Sequence, residues 1–125
     1  MTIIELTNEF RKYVDSGEFD MEQLDQIREG LEKGLDVSIY AKPEFNESQM
    51  CEIREGLELG VDVSIYAKPE FDCEQMFQIR LGLRNRIDVS IYAKPEFSAC
   101  EMSEIRRGIK IGTNSSKSMK PLTSF

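Results

Sequence analysis

Leu24, Ile27 and Leu31 lie at i, i+3 and i+7, and the same stripe returns as Met50/Ile53/Leu57, Met76/Ile79/Leu83 and Met102/Ile105/Ile109. Apolar residues at that spacing share one helix face, so the pattern predicts four helices, each with one buried side. Start signals sit ahead of every stripe. Asp20, Asn46, Asp72 and Ser98 are residues that cap helix N-termini, and Gln23, Gln49, Gln75 and Glu101 stand three places later as capping-box partners. Stop signals follow at Gly34, Gly60 and Gly112, where a left-handed C-terminal cap belongs; the third copy has Arg86 there. The expected helices span 21–33, 47–59, 73–85 and 99–111. Ahead of them Ile3, Leu6, Phe10 and Val14 also have helical spacing, which predicts a capping helix within residues 1–18.

Between the helices residues 36–44, Asp-Val-Ser-Ile-Tyr-Ala-Lys-Pro-Glu, recur unchanged as 62–70 and 88–96, a period of 26 residues. This block fits two structures. Val37, Ile39 and Ala41 alternate with Ser38 and Tyr40 as in a short strand, while Asp36 ahead of a short run closed by Pro43 reads as one capped helical turn. A unit this short cannot bury its own apolar face and has to pack on its neighbours. The favoured fold is therefore all-α, a short αα-solenoid with one long and one short helix per unit; the alternative is an α/β solenoid with one short parallel strand per repeat. One repeat domain over 1–112 is expected, with units 19–44, 45–70, 71–96 and 97–112 and a polar cap or tail over 113–125.

The repeated string Gly-Leu-Glu-x-Gly-(Leu/Val)-Asp-Val-Ser-Ile-Tyr-Ala-Lys-Pro-Glu-Phe, followed by Gln-Met-x-x-Ile-Arg, resembles a short repeat of poorly characterised proteins from gut Firmicutes and their mobile elements, over roughly residues 19–112. That resemblance implies a helical repeat and brings no functional residues with it. Unit three departs from it at Leu81, Arg84, Asn85 and Arg86.

Composition narrows the chemistry. With 40% apolar and 31% charged residues the chain should fold, and without a basic leader or a long apolar run it reads as cytoplasmic and free of the membrane. There is no histidine, so Ser/His/Asp and Cys/His nucleophile systems are excluded; the three cysteines make no zinc pattern, and glycine-rich phosphate loops are absent. No enzyme activity, metal or cofactor is expected. Residues 1–70 hold seven Lys/Arg against seventeen Asp/Glu, and residues 71–125 nine against six, so the two parts carry −10 and +3. Nucleic acid is thereby disfavoured for the first part, and a basic protein becomes an eligible partner. Homo-oligomers are compatible with that gradient.

Four ladders repeat with the units. Arg28, Arg54, Arg80 and Arg106 are expected to pair with Asp36, Asp62 and Asp88 across a turn. Tyr40, Tyr66 and Tyr92 are expected to be buried and to join adjacent units. Lys42, Lys68, Lys94 and Lys120 form a basic edge, and Gly30, Gly56, Gly82 and Gly108 inside the helices point to close approach by a neighbouring helix. Function is sought where the units differ. Leu59, Phe77 and Leu81, flanked by Glu55, Glu58, Arg80 and Arg84, form a candidate protein-binding spot, and Glu29, Glu32, Glu55 and Glu58 are the acidic contacts expected of an inhibitor. The principal expectation is a non-enzymatic protein-binding repeat module. The alternatives are a small acidic inhibitor from a mobile element, such as an anti-CRISPR protein meeting a basic nuclease, and, less favoured, a direct nucleic-acid binder.

Overall fold

A computed structural model describes the backbone of residues 2–115 and the side chains of residues 2–109. Every element among the described residues is helical: α1 (Ile3–Ser16), α2 (Met21–Glu32), α3 (Glu47–Leu59), α4 (Cys73–Arg84) and α5 (Ala99–Ser115), with 3-10 turns at Val37–Ile39, Val63–Ile65 and Val89–Ile91. The strand alternative for the repeated block is thus set aside. Its start is fixed by Asp36, whose Oδ1 accepts from the Ser38 N–H at 3.2 Å and from the Ser38 hydroxyl at 2.6 Å, with Asp62 and Asp88 doing the same. A carboxylate so used favours a turn over an extended ladder.

The long helices begin as their caps dictate. Asp20, Asn46 and Asp72 accept from the backbone N–H three residues on, and Gln23, Gln49 and Gln75 return the bond to the cap N–H. At their ends Gly34 (φ 74°) and Gly60 (φ 79°) take the left-handed conformation, and Leu35 and Val61 donate back to Gly30 and Gly56 at 2.9 and 3.1 Å. Arg86 adopts the same turn at φ 62°, a conformation that strains a residue with a Cβ. The expected stop at Gly112 does not occur, since α5 runs through it to Ser115. Residues 116–125, including Lys120 and most of the expected polar tail, lie outside the described residues.

The helices contact one another chiefly in chain order, α1 with α2, α2 with α3, α3 with α4 and α4 with α5. The stripe forms the core: Ile27, Met50, Ile53, Met76, Ile79 and Met102 are fully buried. On α1 the buried side differs from the expected one. Ile3 and Val14 are 82% and 44% exposed, while Leu6, Phe10 and Tyr13 pack against the core and the Tyr13 ring meets Phe19 edge-on at 6.0 Å. An aromatic contact with the first residue of unit one rotates the helix away from the simple stripe.

Each block is latched to the long helix before it. Tyr40, Tyr66 and Tyr92 are fully buried, and their hydroxyls donate to the carbonyls of Gln26, Glu52 and Gln78 at 2.6, 2.7 and 2.9 Å. The hydroxyl bonds of these tyrosines therefore lie within their own unit. The in-helix glycines make room for them. A Cβ on Gly56 would lie 2.1 Å from the Tyr66 hydroxyl and 2.6 Å from a Val63 methyl, with near-identical distances at Gly30 and Gly82. The joint between units is made by glutamine: the side-chain amides of Gln23, Gln49 and Gln75 donate to the carbonyls of Phe45, Phe71 and Phe97 at 2.7, 2.6 and 2.7 Å.

Burial pushes the Tyr92 phenol up to about 12, and pushes Tyr40 and Tyr66 further, with Arg54 and Arg80 acting against the shift. A phenol that ionises less readily when folded contributes stability that is complete below the unfolded value of about 10 and is lost as pH rises through the folded one. An absorbance titration at alkaline pH is therefore expected to show three tyrosinates appearing only with unfolding, above about pH 11. Three tyrosines titrating near 10 in a chain that keeps its helical circular dichroism would contradict the latch.

Candidate functional site

The exposed faces of α2, α3 and α4 carry a network of charges that crosses from helix to helix. Arg54 is 7% exposed; its Nε donates to Gln26 Oε1 at 2.9 Å, and its guanidinium pairs with Glu58 and, at 3.7 Å, with Glu29. Arg80, also 7% exposed, pairs with Glu52 and Glu55, both at 3.0 Å. Lys33 reaches Glu58 at 3.2 Å. Arg28 pairs only within α2, with Asp25 at 3.1 Å and Glu32 at 3.4 Å. The expected partners Asp36, Asp62 and Asp88 are not used. Their carboxylates cap the 3-10 turns, and each buried arginine points to the helix before it, a partner that only the packing reveals. Burial raises the Glu52 pKa above the usual carboxylate range, opposed by the facing Arg80.

The four candidate carboxylates Glu29, Glu32, Glu55 and Glu58 are thus all engaged within the chain. They stay half-open to solvent, with side chains 42, 49, 41 and 30% exposed, so each pair contributes modestly.

Unit three breaks the network. Leu81 occupies the register of Glu29 and Glu55, and Arg106 is left with a bond from its Nε to Gln78 Oε1 at 3.2 Å. Among the described residues no carboxylate pairs with it. One turn earlier on the same face stands Phe77, 39% exposed, with the Arg80 guanidinium 5.2 Å from its ring centroid. The charged side of that contact is fixed by Glu52 and Glu55, so the ring is held on one face and open on the other. Phe77 lies on the wall of a groove of about 450 Å³ between α4 and α5, with Glu52, Cys73, Glu74, Cys100 and Arg107 around it.

Of the three apolar candidates Phe77 lines the groove, while Leu81, half-buried at i+4 on α4, and Leu59, 48% exposed at the end of α3, do not; nor does Arg84 at the end of α4. The α5 wall, with Ala99, Cys100, Ser103 and Arg107, holds none of the residues that the differences between units single out.

Other chemistry finds little support. Cys51, Cys73 and Cys100 are free, and burial raises the pKa of Cys51 and Cys73, away from reactive thiolates. Among the described residues no group of three His, Cys, Asp or Glu side chains is placed to hold a metal, and no helix is long and apolar enough to cross a membrane. Tyr40, Tyr66 and Tyr92 have no exposed ring on which a base could stack. Comparison with known protein families, with characterised proteins and with solved structures finds no match.

Proposed function

We propose that this chain is a non-enzymatic protein-binding module built as a short αα-solenoid, and that its partner docks at the groove between α4 and α5 with Phe77 as the anchor. The single observation that carries the reading is the part-exposed Phe77 ring, against the Arg80 guanidinium and beside a groove, in a unit whose charge network is interrupted by Leu81. An aromatic side chain held in place by an arginine that is itself anchored loses little entropy on binding, which is the property of an interface hot spot. The rim favours a partner that presents an apolar side chain flanked by basic residues, because Glu52, Glu74 and Glu104 line the groove and among the described residues Arg107 is the one basic side chain on it. The Firmicutes-type repeat that the sequence resembles is compatible with this reading and adds no residue to it.

Affinity capture followed by a binding titration with the purified partner tests the proposal. Phe77→Ala is expected to keep the helical circular dichroism, at some loss of stability because the ring is 39% exposed and covered in part by Arg80, and to weaken binding about tenfold or more. A partner that binds the wild type and the variant equally well would sink the assignment of Phe77.

A further inference from the structure

Glu101, Glu104, Ile105 and Gly108 stand at i, i+3, i+4 and i+7 on α5, and among the described residues no helix of this chain lies on the face they share. In the earlier units the same registers are closed by the repeated block and by the next phenylalanine, as Tyr40 closes Gly30 and Phe45 meets Gln23. On α5 they are open. Phe97 and Ile105 are half-buried where Phe71 and Ile79 are 1% and 0% exposed, and among the described residues a Cβ on Gly108 would meet nothing within 4 Å. Phe97, Cys100 and Ile105 wall a groove of about 270 Å³, with Glu101 and Glu104 on it. A further unit of the same kind has no joint here. Glu101 keeps its capping bond to the Ser98 N–H at 2.8 Å but lacks the amide with which Gln23, Gln49 and Gln75 donate.

Residues 116–125 match this face in charge, register and reach. Residues 105–125 hold five Lys/Arg and no Asp or Glu, while residues 1–104 hold eleven against twenty-three. Arg107, 3.6 Å from Glu104, offsets one of the two groove carboxylates, which leaves them at −1 against +2 from Lys117 and Lys120. Lys120-Pro121 follows Lys94-Pro95 by one period, and in the earlier blocks this pair has already turned back, the carbonyls of Pro43, Pro69 and Pro95 lying 3.4, 3.3 and 3.1 Å from the amides of Gln23, Gln49 and Gln75. Ser118 stands in the register of Tyr92, so Leu122 and Phe125 are left to supply the apolar surface. From Ser115, at about 1.5 Å per residue, α5 runs back about 16 Å to Glu104 and about 22 Å to Cys100. At about 3.3 Å per extended residue Leu122 reaches about 23 Å from Ser115 and Phe125 about 33 Å, enough for both to cover the groove after a turn.

We propose that residues 116–125 turn back onto the open face of α5 of the same chain, with Leu122 and Phe125 in the groove beside Phe97 and Ile105 and Lys120 against Glu104. Isotope-edited NMR of the full chain is expected to show nuclear Overhauser contacts from the Leu122 and Phe125 side chains to Phe97 and Ile105, at an intensity independent of protein concentration. Leu122→Asp with Phe125→Asp is expected to remove these contacts and shift the Ile105 methyl resonances, while the resonances of α1, α2 and α3 stay in place. Lys120→Glu, which keeps both apolar residues, is expected to move the Ile105 resonances part of the way in the same direction, and less at high salt. An absence of contacts between residues 116–125 and α5 in the wild type would overturn the proposal and leave the face to another protein. So would contacts seen only between differently labelled copies, which would assign it to a second chain, or Ile105 resonances that neither variant moves.

Discussion

Gly56→Ala is expected to destabilise the chain by about 3 kcal/mol or to prevent folding, measured as the shift of a denaturant midpoint. A methyl group there would sit 2.1 Å from the Tyr66 hydroxyl and 2.6 Å from a Val63 methyl. Neither neighbour can yield. The Tyr66 ring is fully buried and its hydroxyl is bound at 2.7 Å to the Glu52 carbonyl, which lies four residues before Gly56 on the same helix. Alanine in an open helix position would instead stabilise by up to about 1 kcal/mol, and that is the expectation for Gly108→Ala, where nothing lies within 4 Å among the described residues. Opposite signs for one substitution at two copies of one register make a demanding control. Adding Tyr66→Phe to Gly56→Ala removes the closer contact and leaves the Val63 methyl, so only part of the loss should return. A Gly56→Ala protein as stable as the wild type would show that the block does not press on the helix.

The second large effect is expected from Gln49→Glu. Gln49 is 5% exposed, and its amide donates to Phe71 O at 2.6 Å and Pro69 O at 3.3 Å while its oxygen caps the Asn46 N–H. A carboxylate retains the cap and turns an oxygen toward two carbonyls, in a site that disfavours charge; the loss should be about 2–4 kcal/mol at neutral pH. The sign with pH is defined. The carboxyl would have a raised folded pKa, so the penalty is absent well below the unfolded value of about 4.3 and grows as pH rises from there to the folded value. Unfolding curves of variant and wild type should therefore converge at low pH, where a protonated carboxyl can donate to Phe71 O. Equal stability of the two proteins at neutral pH would remove the glutamine from the joint between units.

What the sequence made legible was whatever is local. Asp20 with Gln23, Asn46 with Gln49 and Asp72 with Gln75 are three residues apart, and the caps they form follow from that spacing alone. The stripe gave the core for the same reason. The nine-residue block was too short for periodicity to separate a strand from a turn, and the Asp36–Ser38 bond that separates them involves a hydroxyl whose direction no pattern encodes. The arginine partners were misjudged because residues 25 to 28 apart meet only once helices have packed. Phe77 was legible as a difference between units, since Asp25, Cys51 and Ser103 share its register; the α5 wall that makes a groove of it was not.

Every side-chain hydrogen bond of the described residues closes over 28 residues or fewer: 14 for the tyrosines, 20 to 22 for the glutamines and 28 for the arginines. Loops so short cost little entropy to close, and a chain held by them has low contact order. Folding then needs no meeting of distant segments. Residues 19–70 contain two complete latches, one complete joint and the first cross-helix arginine, so structure can begin to form while the second half of the chain is still being synthesised.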